Sequence, residues 1–347
     1  MGKEVVQTVE VSKHPDAGVN SHVGFCWPKS LLSRMLLQSC FSFMEVGFQM
    51  TFTGLLVYLA SPFLPRWEEE ASWLAYFVKA FPISYTVSLT QYFVISAVVD
   101  FLADRVMPLD CQLSSHKRSG APETAQKEKG HYHWGNRGYF INHLGFSLRF
   151  AIPVAIGTAV LMPMFDLDSP TKLFLTPFKV QSALVTGDFA YWTVHWAQHK
   201  WKTLYKMTDH TYHHQFKYPW SSVGTWLGVP DLCLSTFAIA ASNVLFTRMI
   251  LGPLTLYDYL LMTNFVHEMN CVDHSGCMFP FWNGCPFLPP LGFLLRLDQS
   301  IAMHEAHHNY NFYSFGLLGV ADQIFGTAKY PPGYHCDRGL LAGFSLL

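Results

Sequence analysis

Charge is scarce in this 347-residue chain: only 14% of residues are Asp, Glu, Lys or Arg, against roughly 25% in an average soluble domain. Half of the residues are hydrophobic and the mean hydropathy is +0.17, so the shortfall points to a membrane protein. A formal net charge of -1 excludes the basic footprint of a nucleic-acid binder. No CxxC spacing occurs among the eight cysteines, which read as reduced or membrane-buried thiols rather than a disulfide framework. The first 28 residues lack the basic start and short apolar core of a signal peptide. Val6 stands where a myristoylation motif wants Ser or Thr. Neither a flavin or nicotinamide fingerprint nor an internal repeat is visible, so any redox chemistry must draw its electrons from elsewhere.

What the chain does have is long apolar runs. A bilayer crossing needs about 20 largely apolar residues, and four stretches qualify: Leu36 to Ala60, Ala80 to Leu102, Tyr139 to Phe165 and Leu173 to Trp196. The last is the least apolar, with Lys179 and Asp188 inside it. Two shorter apolar halves, Leu232 to Leu251 and Leu254 to Phe265, read as a hairpin dipping into the membrane. Lys and Arg concentrate after the second span, at Arg105, Lys117, Arg118, Lys127, Lys129 and Arg137. The positive-inside rule therefore puts that loop, the N-terminus and the region just after Trp196 in the cytosol. The expected fold is an all-α integral membrane protein with about four transmembrane helices, the dipping hairpin and a cytosolic helical cap. The expected organisation is a polar cytosolic N-terminus (1–30), membrane helices with a flexible cytosolic loop at 104–138 (31–170), a catalytic domain (171–330) and a tail (331–347).

Seventeen histidines is a large number, and their placement carries the functional signal. His195 and His199 stand at i and i+4, on one face of a helix. His210, His213 and His214 follow in a His-x-x-His-His pattern, and His304, His307 and His308 repeat it. His274 stands alone in Asp273-His274-Ser275-Gly276. Imidazole is the commonest metal-binding side chain, and this many converging histidines exceed what one ion can take, so two metals are the economical inference. Seven residues before His274 and able to share its helical face, His267 is a candidate extra ligand. Imidazole does not by itself separate iron from zinc. His304-Glu305-Ala306-His307-His308 also fits the His-Glu-x-x-His pattern of zinc proteases. A membrane zinc metalloprotease is thus the competing enzyme class, and a non-enzymatic scaffold the third reading.

From Asp188 to Thr327 the chain resembles the fatty acid hydroxylase and sterol desaturase superfamily. The resemblance rests on Asp188, Tyr191, His195 and His199, on Tyr205 to His214, on Asp273 to Gly276, on His304 to His308, and on Asn311, Phe312, Asp322, Phe325, Gly326 and Thr327. Trp196, Cys277 and Ala321 depart from the usual residues at their positions, and Val229-Pro230-Asp231 lacks the histidine common before Pro-x-Glu in methylsterol oxidases. By motif the chain is closest to C-4 methylsterol oxidases and cholesterol 25-hydroxylases. The resemblance implies two iron ions held by His195, His199, His210, His213, His214, His274, His304, His307 and His308. It also implies O2 as cosubstrate, a sterol or fatty-acyl substrate, and electrons from an external cytochrome b5 and NAD(P)H reductase chain. Hydroxylation to an alcohol and desaturation to an alkene both remain open. Asp188, Asp273 and Asp322 are candidates to accept the second N–H of a metal-bound histidine. The endoplasmic reticulum membrane is the expected location.

Overall fold

A computed structural model of the protein describes residues 31–107, 113, 137–167, 170–214, 221–279 and 282–330. The N-terminal segment, most of the 104–138 loop and the C-terminal tail fall outside them. Among the described residues the architecture is helical apart from one two-stranded pair. The principal helices are α1 (Leu31–Ala60), α2 (Trp73–Phe101), α3 (Arg137–Leu161), α4 (Thr176–Lys200), the short α5 (Lys202–Met207), α6 (Val229–Leu251) and α7 (Leu256–Ser275). After them come α8 (Pro289–Leu294), α9 (Ser300–Tyr310) and α10 (Val320–Ile324).

Helix ends are set by local chemistry. Ser72 caps α2 by accepting the N–H of Ala75 at 3.2 Å. Thr255 and Asp258 form a reciprocal capping box at the start of α7, satisfying two of the backbone donors that a helix start leaves open. Gly252 (φ 82) turns the chain between α6 and α7, in a left-handed region where a Cβ is costly. The strands β1 (Phe165–Asp166) and β2 (Leu254–Thr255) pair in parallel. They follow α3 and α6, so those two helices run the same way and finish at one end of the bundle. From that end α4 and α7 run back, and both terminate in histidine-bearing segments at the opposite end.

Four helical segments are long and apolar enough to cross a membrane: Met35–Glu69, Trp73–Val106, His143–Met164 and Val229–Leu251. The protein is therefore an all-α, multi-pass membrane protein. The number agrees with the sequence-based expectation, but the fourth member differs. Leu173 to Trp196 becomes α4, an inner helix whose Lys179 is buried and paired with Asp258 of α7 at 2.6 Å. The half-hairpin Leu232 to Leu251 instead becomes α6, which at 23 residues is about 34 Å long. Its outer face carries exposed Phe237, Leu245, Phe246, Met249 and Ile250, as a lipid-facing helix requires. Of the two stretches Leu232 to Leu251 is the more apolar, whereas α4 carries Lys179 and Asp188 and keeps both inside the protein.

The pivot of the bundle is α7, buried along nearly its whole length and packed on α1, α2, α4 and α9. Several of its polar side chains are met by partners from those helices, since an unmet polar group in a low-dielectric interior is expensive. Gln49 of α1 donates to Glu268 at 2.7 Å. Asn264 donates to Thr53 at 2.7 Å and accepts from Gln91 of α2 at 2.9 Å. These bonds fix the rotation of α7, and with it the direction of His274.

Candidate metal centre

Nine buried or half-buried histidines converge at the ends of α4 and α7. They form two groups: His195, His199, His210, His214 and His307, and then His213, His274, His304 and His308. Within each group the nitrogens that face a common point all lie within 4.8 Å of one another. These are the same nine residues singled out in the sequence. His267 joins neither group. Its ring packs instead against Tyr92 and Phe150.

The way each box divides follows from helical geometry. His195 and His199, one turn apart at the end of α4, serve the first group together. In the box at 304–308, His304 and His308 are the i, i+4 pair and serve the second group, while His307, rotated by one residue, reaches the first. The box at 210–214 does the opposite: His210 and His214 serve the first group and His213 the second. Each His-x-x-His-His box thus spans both groups, so neither group can assemble without the other's scaffold. The 210–214 box is not a regular α-helix. It opens on Asp209 in the left-handed conformation (φ 57), followed by a tight turn at His210–Tyr212.

Four of the imidazoles have their protons placed by fixed acceptors. The Nδ1–H of His195 donates to Phe315 O at 2.8 Å, that of His307 to Tyr313 O at 2.7 Å, and that of His274 to Asn270 O at 2.7 Å. His210 Nδ1 donates to the Asp231 carboxylate at 2.6 Å. With the proton on Nδ1, the Nε2 lone pair points into the cage. Nε2 atoms there approach one another at 3.0 Å (His210 and His214), 3.1 Å (His199 and His214), 3.2 Å (His214 and His307) and 3.3 Å (His195 and His199). In the second group, His274 lies 2.9 Å from His304 and 3.3 Å from His213. Around an ion with metal–nitrogen bonds of about 2.1 Å, neighbouring donors stand roughly 3.0 to 3.4 Å apart at octahedral or tetrahedral angles. Lone pairs crowded at these spacings fit a cation between them. Burial, reinforced by neighbouring histidines, holds His213, His214, His304 and His308 well below the usual imidazole range, and burial takes His307 down to about 3. Neutral imidazole is the metal-binding form.

The acidic residues take roles other than those expected. Asp188 touches no histidine. Its carboxylate accepts backbone N–H bonds from Leu318 (2.7 Å), Gly319 (3.2 Å) and Ala321 (2.8 Å). Asp322 accepts from the backbone of Phe315 and Gly316, each at 2.8 Å, and from Thr327 Oγ1 at 2.6 Å. Together they shape the 313–322 loop, which supplies the carbonyls that orient His195 and His307. Gly316 is the close approach in that loop: a Cβ there would meet Asp188 Oδ1 at 2.5 Å and Asp322 Oδ2 at 3.0 Å. Asp273 accepts from Ser300 Oγ at 2.8 Å and so ties the start of α9 to α7.

A carboxylate bonded to a cage histidine, Asp231, was not among the sequence candidates. It lies in the first turn of α6, fully buried, and also accepts from Gln198 (2.6 Å) and Ser235 (3.2 Å). The signal available was an acid following Pro230, 21 residues after His210. Asp231→Asn would present an amide N–H to His210 Nδ1 and force the ring into the other tautomer, with a proton aimed into the cage. The expected result is a loss of metal affinity of about 10- to 100-fold with the fold retained, measured by metal titration of the purified variant.

Residues 180–327 match the fatty acid hydroxylase family model. This stretch contains all nine histidines and the 313–322 loop, and it is a fatty acid hydroxylase domain of the fatty acid hydroxylase and sterol desaturase superfamily. Comparison with curated proteins and with solved structures gives no match.

Proposed function

We propose that this protein is a membrane-bound, O2-dependent di-iron oxidoreductase that oxidises a C–H bond of a lipid, with a sterol as the favoured substrate class and hydroxylation as the favoured outcome. The observation that carries this reading is the partition of nine histidines into two adjacent groups, with four tautomers locked so that Nε2 faces inward. Two irons in these groups would supply reductive activation of O2 for attack on an unactivated C–H bond. The chain's own contribution is threefold. Asp231 and the carbonyls of Asn270, Tyr313 and Phe315 hold the imidazoles in one protonation state and orientation. Burial of the cage excludes bulk water from it. The apolar helices bring a lipid to the ends of α4 and α7, where the histidines stand.

The zinc-protease reading fits this geometry less well. A catalytic zinc site keeps three protein ligands and an open position, whereas His304 and His308 share their group with both His213 and His274. Electrons come, in this proposal, from a separate cytochrome b5-type donor docking at the histidine end. The Lys- and Arg-rich sequence between α2 and α3 supports a cytosolic placement of that end in an endoplasmic reticulum membrane. The test is incubation of iron-loaded protein in nanodiscs with a reductase, cytochrome b5, a sterol mixture and 18O2. The expected product is a sterol bearing one 18O atom. Oxidation absent from sterols and fatty acids alike, with peptide hydrolysis in its place, would overturn the proposal.

A further inference from the structure

A partly open chamber lies between α3, α4, α6 and α7. Its wall is largely apolar, built from Phe150, Val154, Ile239, Met262, Val266 and Leu317 among others, and among the described residues no Lys or Arg lines it. One end reaches the metal centre. Gly224 lines it, and a Cβ there would come within 2.8 Å of His274 Nδ1 and 2.6 Å of Asn270 Nδ2. Toward the outside, Phe237 both lines the chamber and stands 60% exposed on the lipid-facing side of α6. The chamber therefore lies between the lipid-facing side of α6 and the residues that back the cage.

His267 is one of the polar groups in that lining, beside Ser235, Thr236, Asn243, Thr263 and Asn270. It is only 6% exposed, its ring stands edge-on to Tyr92 at 5.9 Å and to Phe150 at 5.1 Å between centroids, and its Nε2 has no hydrogen-bond partner. The nearest hydroxyl of that aromatic pair is already engaged, since Tyr92 Oη bonds Thr225 Oγ1 at 2.8 Å. An unpaired ring nitrogen in a buried, nonpolar setting weakens the fold unless something in use pairs with it.

We infer that His267 binds the polar group of the substrate, and that this substrate is a neutral lipid bearing a hydroxyl. The inference rests on the oxygenase reading above. With no cation in the lining, a carboxylate or phosphate in the chamber would be buried without a counter-charge, whereas a hydroxyl can donate to or accept from an imidazole nitrogen. His267 and His274 share one face of α7, seven residues apart, which is about 10 Å along the helix. The hydroxyl is therefore held well away from the cage, and the carbon presented for oxidation lies several bonds from the one that carries it.

The test uses the full-length, iron-loaded protein in detergent and two probes that differ by one hydroxyl, cholesterol and the hydrocarbon cholest-5-ene, each competed against tritiated cholesterol. Wild-type protein is expected to prefer cholesterol by roughly tenfold to hundredfold. His267→Phe is expected to keep hydrocarbon binding, which also shows that it is folded, and to lose the preference. His267→Gln, which restores a donor and an acceptor, regains part of it. Equal binding of the two probes by wild type, or an undiminished preference in His267→Phe, would overturn the inference. So would loss of iron from His267→Phe, which would return His267 to the metal centre. Iron assayed on the same preparations separates the two readings. Two irons without hydroxyl preference leave the oxygenase standing and remove the His267 assignment, while preference without iron in wild type removes the oxygenase and leaves the hydroxyl site.

Discussion

His274→Ala is expected to abolish O2-dependent lipid oxidation and to remove about one of two bound irons. His274 is the cage residue contributed by α7, and its Nε2 stands 2.9 Å from His304 and 3.3 Å from His213. Its Nδ1 is pinned by the carbonyl of Asn270 one turn earlier, which holds the ring in the cage. Loss of this imidazole takes the second group from four donors to three. Losing only the partner that orients a metal-bound histidine costs about 10- to 100-fold, and losing the histidine itself should exceed that. Turnover of a sterol mixture, together with iron content per chain, checks the expectation. A variant that keeps both irons and more than a tenth of wild-type turnover would exclude His274 as a ligand.

The second large effect is expected at Asp188, at a distance from any imidazole. Asp188→Ala leaves the backbone N–H groups of Leu318, Gly319 and Ala321 without their acceptor. Each buried unpaired donor costs about 1–3 kcal/mol, so the variant should lose about 3 kcal/mol or more. The consequence reaches the cage through the loop, because Phe315 O and Tyr313 O orient His195 and His307. Iron in the first group should be lost before iron in the second. Thermal melts in detergent, combined with iron content after mild chelation, measure both. A melting temperature within about 2 °C of wild type, with both irons held, would contradict this role.

Much of the centre was legible in the sequence because its ligands sit on helices or helix-like turns. The i, i+4 pairs at 195/199 and 304/308 follow from helical pitch alone. What pitch could not reveal was the division of labour: that His213 and His214, adjacent in sequence, turn to different groups depends on the left-handed Asp209 and the tight turn after it. Two of the orienting acceptors are backbone carbonyls of the 313–322 loop, which leave no side-chain signature. Asp188 and Asp322 were read as partners of histidines, but they bind the backbone of that loop. Asp231 was passed over because its contact with His210 depends on how α6 begins. The fourth candidate membrane helix also differs from the sequence reading. Lys179 and Asp188 are hidden inside the bundle by Asp258 and by the loop, whereas Val229–Leu251 is apolar enough by itself to cross.

The most direct test of the di-iron assignment is metal content of protein purified in detergent, reduced and loaded with ferrous iron under anaerobic conditions. Two irons per chain are expected, falling to about one in His274→Ala. One zinc per chain that resists chelation, with no iron taken up under reducing conditions, would contradict the account and move the chemistry from oxygen to hydrolysis.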